Sequence, residues 1–278
     1  MSIPRRAVLS LLPASIVLPR SLFAAEVKPL ANERWARIRQ GLFGDAPISE
    51  SASDILSLTA PLRAEDAAVV PIGIQTRVAQ TPERFIRKVH LIIDNNPSPA
   101  GAVFTFSPES GRADIETRVR VEEYTFVRAI AEMNDGQLFM DTKFLKASGG
   151  CSAPAGKDEA EALAKLGRMR LRIEDDVIPG KPVLAQLMIS HPNVSGLGID
   201  QLTRLTPPPY FVRSIAVTYG GAPVLTADVD FTLSENPNIR FYFTPQQQGE
   251  LRAEAIDTKD RVFKTQLAVK PGPQADAA

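Results

Sequence analysis

A single cysteine, Cys151, stands in a sequence of 278 residues. An intramolecular disulfide is therefore excluded. Only two histidines accompany it, too few for a zinc or iron–sulfur site built from the usual three or four Cys/His ligands. An excess of charge is missing as well. The 32 basic residues balance 32 acidic ones, which argues against a nucleic-acid binder working through a basic surface. There is no phosphate-binding G-x-x-x-x-G-K-[ST], no G-x-G-x-x-G after a strand, no H-E-x-x-H and no G-x-S-x-G. Gly196-Leu197-Gly198 lacks the third glycine of a dinucleotide fingerprint. No carboxylate pair stands out from the solvated background, so glycoside hydrolysis finds no handle.

What the sequence does have begins at its N-terminus. Residues 1–25 read as a removable export signal. Arg5 and Arg6 precede an apolar run from Ala7 to Leu18, and the small Ala24 and Ala25 mark a cleavage point. The arginine pair leaves both the general and the twin-arginine routes open. A short membrane anchor is the competing reading, but Pro13 and Pro19 break a run already short for a bilayer. No later stretch is apolar enough to span. Removing the signal takes three basic residues and no acidic one, leaving a net charge of −3. The expected compartment is an oxidising periplasm, where a lone thiol is unusual because partner thiols trap it.

The rest reads as mainly β. A short helix is predicted over 32–40, with Trp35, Ile38 and Leu42 on one side. Strands are predicted at 69–78, 86–93, 102–106, 115–121, 124–133 and 137–146, with Asp135-Gly136 as a hairpin turn. Ile115, Thr117, Val119 and Val121 alternate with Glu116, Arg118 and Arg120, a period of two. A Gly/Ser/Ala stretch at 147–157 interrupts the pattern. A helix follows, with Asp158 and Glu161 as a cap pair and Gly167 at its end. A strand at 169–173 is expected to complete a first domain over 26–176. A linker at 177–182 leads to a second domain over 183–270. Its strands are predicted at 183–190, 211–219, 223–231, 238–244, 250–257 and 262–269, with Gly220-Gly221 as a hairpin turn. Ile239, Phe241 and Phe243 face one way while Arg240 and Tyr242 face the other. The expected architecture is two immunoglobulin-like β-sandwiches in tandem, ending in a disordered tail at 271–278.

Gly149-Gly150-Cys151 is the remaining candidate for chemistry. Free cysteine is usually buried as a small hydrophobe. The neighbours here (Ser148, Gly149, Gly150, Ser152 and Ala153) offer little apolar surface, so a mobile, solvent-reachable arm is expected. A thiol on such an arm can carry a group as a persulfide or mixed disulfide. The bland alternative is an inert loop cysteine. Lys146 and Lys157 flank the arm and read either as cations that favour thiolate or as two exposed lysines. His191, in His191-Pro192, is read as a turn device or as the base of a thiol enzyme. His90 is read as a scaffold residue between Val89 and Leu91.

The segment around Cys151 resembles the carrier-cysteine region of SoxY, the sulfur-carrying subunit of periplasmic thiosulfate oxidation. In that family a Gly-Gly-Cys-Gly-Gly arm ends the chain. Ile55-Leu56 through Pro61, with Val69-Val70-Pro71-Ile72, resembles the opening SoxY strands. The second half resembles SoxZ over about ninety residues. The matching pieces are Ile189-Ser190-His191-Pro192, Pro209-Tyr210-Phe211-Val212, Gly220-Gly221-Ala222-Pro223-Val224 and Ser234 through Phe241. The whole chain is similar to fused SoxY–SoxZ-like carriers, some of which accompany quinoprotein alcohol dehydrogenases. Here Cys151 is internal and followed by Ser152-Ala153-Pro154, so both ends of the arm are anchored. The resemblance implies a non-enzymatic carrier with a sulfur or other thiol-linked intermediate on Cys151 and no other cofactor. It implies partners among periplasmic redox enzymes of a sulfur-oxidation or quinoprotein dehydrogenase system, including c-type cytochromes. No nucleic acid and no membrane span are expected. A thiol enzyme and a plain binding or scaffolding module are the alternatives.

Overall fold

The computed structural model describes residues 32–50, 52–153, 159–199 and 204–272. The export signal, Lys157, the side chains of the Asp158/Glu161 pair and the tail past residue 272 lie outside the described residues. The first half runs α1 (Glu33–Phe43), β1 (Ile48–Ser49), β2 (Leu56–Thr59), β3 (Val70–Thr76), β4 (Ile86–Ile93), β5 (Ala100–Phe106), β6 (Ile115–Val119), β7 (Thr125–Met133) and β8 (Leu138–Leu145). After the Cys151 segment come α2 (Glu159–Ala164), β9 (Met169–Ile173), β10 (Val183–Ile189), β11 (Val212–Tyr219), β12 (Ala222–Val229), β13 (Asn238–Phe243), β14 (Gly249–Asp257) and β15 (Val262–Val269).

Local signals explain most of these elements. The Asn32 side chain accepts from the Arg34 N–H and caps α1, which runs one turn past its predicted end to Gly44. Gly136 (φ +87°) turns β7 into β8, and Gly220-Gly221 (φ +56° and +90°) turn β11 into β12, as glycine permits. Ile239, Phe241 and Phe243 are buried while Arg240 and Tyr242 are half-exposed, the facing that alternation predicts.

The fold is mainly β, with two packed sheets. One has nine strands in the order β1-β8-β7-β4-β5-β12-β11-β14-β15. The other has six, in the order β2-β3-β6-β13-β10-β9. Both sheets run through both halves of the chain. β5 pairs with β12 from Phe106↔Leu225 to Ala102↔Val229, and β6 pairs with β13 at Ile115↔Phe241 and Glu116↔Arg240. The halves are thus joined edge to edge over one continuous core that includes Phe104, Ile115, Leu225 and Phe241. Such pairing removes four strand edges that separate sandwiches would leave open.

Two expectations change as a result. β9 does not close the first half; it pairs with β10, Leu171 opposite Leu187, in the second half's part of the sheet. The 177–182 segment is therefore the β9–β10 connection, and the passage between halves is the segment that carries Cys151. Strand alternation gives each strand's existence but not its partner, which is why the sequence misplaced β9.

A buried ion pair fastens α1 to the outer face of the nine-stranded sheet. Arg128 on β7 donates to Asp94 through Nε (2.8 Å to Oδ1) and Nη2 (2.7 Å to Oδ2), with both side chains fully buried. Asp94 Oδ2 also accepts from Asn32 Nδ2 at 2.8 Å. Trp35 of α1 lies over the guanidinium, 4.3 Å from ring centre to Cζ, and packs with Ile92, Ile130 and Met140. Helix cap, carboxylate, guanidinium and indole form one stack. Asp94→Ala takes the carboxylate from the buried Arg128 guanidinium, and is expected to lower the unfolding free energy by about 3–5 kcal/mol. Urea unfolding followed by the emission of Trp35, the sole tryptophan, measures it. Adding Arg128→Leu to the same chain should recover part of the loss, and a loss below about 1 kcal/mol for Asp94→Ala would remove the pair as the anchor.

Candidate functional site

The site forms where β6 ends and the chain leaves β8. Beyond β6, Arg120, Val121 and Glu122 run on toward the second half. The 149–153 segment lies along them: the Gly149 N–H donates to Glu122 O (2.8 Å) and the Gly150 N–H to Val121 O (2.9 Å). Gly149 has φ +79°, a left-handed conformation. A Cβ on Gly150 would stand 2.0 Å from Ala67 O and 2.7 Å from Val121 O, so only glycine fits. The two glycines therefore serve conformation and close approach.

Cys151 is fully buried, whereas Ser152 is exposed. This differs from the solvent-reachable thiol that the small neighbours predict. The burial comes from tertiary neighbours, not from apolar sequence context. The Glu122 carboxylate takes three hydrogen bonds from the segment. Oε2 accepts from the Cys151 N–H (2.8 Å) and the Ser152 N–H (3.0 Å), and Oε1 accepts from Ser152 Oγ (2.7 Å). From the second half, Ser195 Oγ donates to Cys151 O at 2.5 Å. A Cβ on Gly198 would meet Ala153 O at 2.9 Å, so the 195–198 turn closes over the same segment.

Arg120 bolts the two halves together beneath the loop. Alternation places it with the outward-facing Arg118, but β6 ends at Val119 and Arg120 is buried instead. Its Nη1 donates to the carbonyls of Asn193 (2.8 Å), Phe231 (3.0 Å) and Leu233 (2.9 Å). The thiol of Cys151 is pushed up to about 12, first by burial and then by the negative charges of Glu122 and Asp230; Arg120 opposes this. In this state the thiol is protonated at neutral pH and a poor nucleophile. The cation acting on it is Arg120, which sequence proximity did not point to. Lys146 belongs to the loop's base, where its N–H donates to Leu62 O and its carbonyl accepts from Ala64. Lys157 lies outside the described residues.

His191 is buried in the second half, and the structure does not join it to Cys151. Its Nδ1 accepts from the Asn193 N–H (3.0 Å), and its Nε2 faces Asp257 Oδ2 at 3.7 Å without a hydrogen bond. Asp257 is held in turn by Tyr210 Oη (2.7 Å) and by the N–H groups of Lys259 and Arg261. Burial pushes His191 down to about 4, so the imidazole is neutral. With both nitrogens turned to the second half, His191 is not placed as a base for Cys151. It shapes the 191–195 turn that presents Asn193 and Ser195. His90 lies elsewhere, against Phe43 and Glu132.

Sequence reasoning missed Arg120, Glu122, Asn193, Ser195 and Asp230. Each comes from a loop or strand end, where periodicity carries no information, and they meet only once the halves join. Among the described residues, no group of three or more His, Cys, Asp or Glu gathers as a metal site, and no helix is long and apolar enough to cross a membrane.

Residues 39–151 match the family of the sulfur oxidation protein SoxY, and the match ends on Cys151 itself. Residues 171–268 match the family of the sulphur oxidation protein SoxZ. No curated protein matches the chain. Among solved structures, it is similar to the sulfur carrier protein SoxY from Chlorobium limicola f thiosulfatophilum, at 22% identity and a TM-score of 0.34, over 41% of this chain and 94% of that one. It is also similar to a superoxide reductase (neelaredoxin) from Ignicoccus hospitalis, at 17% identity and a TM-score of 0.31, over 34% of this chain and 82% of that one.

Two measurements test this geometry. Iodoacetamide should modify Cys151 at pH 8 roughly a thousand-fold more slowly in the folded protein than in urea, because the buried thiol is so rarely ionised. Equal rates would mean an exposed thiol. For His191, the unfolded imidazole takes a proton near 6.5 and the folded one only near 4. The unfolded chain binds more protons in that window. Stability present above pH 6.5 should therefore fall as the pH drops toward 4, by up to about 3 kcal/mol. Urea midpoints across this range measure the slope, and His191→Gln should flatten it.

Proposed function

Because the chain belongs to the fused SoxY–SoxZ-like sulfur carriers, its halves matching those two families in tandem, we propose that it is a periplasmic carrier that holds a sulfur intermediate on Cys151. Proteins of this family are carriers rather than enzymes, and they work with sulfur-oxidation enzymes. Our reading for this chain is that partner redox enzymes load and unload Cys151. Sulfur-oxidation enzymes, a quinoprotein dehydrogenase system and c-type cytochromes are the candidates for that role.

The way Cys151 is held supports this reading most. The backbone of the thiol loop is tied by the Glu122 carboxylate and the Ser195 hydroxyl, with two strand-like bonds at its base. Water can replace each of these contacts when the loop leaves, since none is apolar packing. Within the fold the thiol is neutral and hidden. Released, it regains an ordinary thiol pKa and can exchange. In the simplest loading step, the Cys151 thiolate attacks the terminal sulfur of a donor persulfide, R–S–SH. The new S–S bond gives Cys151–S–SH, the old S–S bond breaks, and the donor leaves as R–S⁻. Atoms and charge balance without an outside oxidant. Ser195 and Asn193 come from the second half, so the SoxZ-like part would present and shelter the loop.

Glu122→Ala removes three hydrogen bonds to a charged acceptor and should raise the iodoacetamide rate of Cys151 at least about tenfold. An unchanged rate would remove Glu122 as the clasp. For carriage itself, intact mass spectrometry of the protein taken from its own host's periplasm is expected to show an adduct that reductant removes and that Cys151→Ala lacks. Bare thiol in every preparation, together with undiminished sulfur oxidation by Cys151→Ala cells, would overturn the proposal.

A further inference from the structure

The outer face of the six-stranded sheet carries charge that the fold does not use. On β9, Met169, Leu171 and Ile173 turn toward the core, while Arg170 and Arg172 are exposed on the other face. Arg168, at the same parity just before the strand, is exposed too. Alternate residues of a strand stand roughly 6.6 Å apart, so the three guanidinium groups form a row of one sign. None has an ion-pair partner among the described residues. Glu174, just beyond β9, and Glu116 on β6 both pair with Arg240 on β13 instead. Among the described residues three neighbouring cations thus have no counter-charge, an arrangement that costs mutual repulsion.

β9 is also a sheet edge. β10 occupies one side, and the other side opens on a cleft of about 540 Å³ whose far wall is Leu267–Lys270 at the end of β15. Beside the arginines, the outer face offers half-buried Met188 and Tyr242. Arg, Met and Tyr are the residue types enriched where proteins meet.

We propose that the free edge of β9 is a docking site for an extended acidic segment of a partner protein, added as a further antiparallel strand. The open edge supplies main-chain hydrogen bonds, and the arginine row pairs with carboxylates at alternate positions. The period of two selects an extended segment over a helix, whose charged faces repeat every three or four residues. This surface does not depend on Cys151, so it stands or falls separately from carriage. The row nonetheless starts close to the carrier loop. Arg168 O accepts from the Ser190 N–H, one residue before the turn that holds Cys151 from the second half.

A fluorescein-labelled peptide of alternating Glu and Thr is the probe, and its anisotropy on titration with the full chain is the readout. Three cross-strand charge pairs should make Arg168→Gln/Arg170→Gln/Arg172→Gln bind it at least about tenfold more weakly than the unsubstituted chain. All three side chains are exposed, so the variant is expected to keep its circular dichroism and melting temperature. The same peptide with alternate backbone nitrogens methylated keeps its charge but cannot pair as a strand, and should lose binding to a similar degree. Affinities of chain and variant within about twofold would overturn the arginine row as the site. Undiminished binding of the methylated peptide would overturn strand addition in favour of plain polyanion attraction. Sedimentation showing a dimer that the triple substitution dissociates would overturn the partner in favour of a second copy.

Discussion

The pairing of β5 with β12 and of β6 with β13 is the constraint on which the Cys151 end of the molecule depends. Each half taken alone would expose unpaired strand edges and the flank of its own core. Joined, the two halves share both sheets, and residues as distant in sequence as Phe104 and Phe241 lie in one hydrophobic cluster. The union also brings the end of β6 against the 191–195 turn. Arg120 then reaches three carbonyls of the second half, and buried carbonyls in irregular backbone find the donor they need. The second half acts here as the missing wall of the site.

Within that wall the thiol loop is held by a different kind of force from the core beneath it. Apolar burial keeps the sheets together and does not reverse under ordinary conditions. The loop is instead hydrogen-bonded to one carboxylate and one hydroxyl, and water can substitute for each of those contacts. The contrast separates an apolar platform from a hydrogen-bonded loop above it. Burial and the Glu122 charge together suppress ionisation of the thiol. A thiol hidden in this way is protected from capture by other thiols, since the thiolate is the reacting form.

Much of the fold could be read from residue order. Alternation located the strands from 69 to 269, and paired turn residues such as Asp135-Gly136 and Gly220-Gly221 marked hairpins that the structure contains. The Gly-Gly-Cys motif and the order of the SoxZ-like pieces pointed to the family. Less could be read of the site. Arg120 carries the same alternation signal as Arg118, yet one is buried and the other is not, because the strand ends between them. Glu122 looks like any surface acid in sequence. The glycines around Cys151 suggest freedom, but at Gly150 the constraint is the nearness of Ala67 O.

The sequence by itself determined which segments are strands, where the chain turns, that one thiol is available, and which family the chain resembles. These follow from local preferences and periodicities, which act between residues close along the chain. Only the tertiary structure decided that β9 belongs to the second half, that the Cys151 segment is the passage between halves, and that the thiol is buried beside Arg120 and clasped by Glu122. Those facts depend on which edges pair and which loops meet. The free energy behind them is shared among groups far apart in sequence, and no window of neighbouring residues contains it.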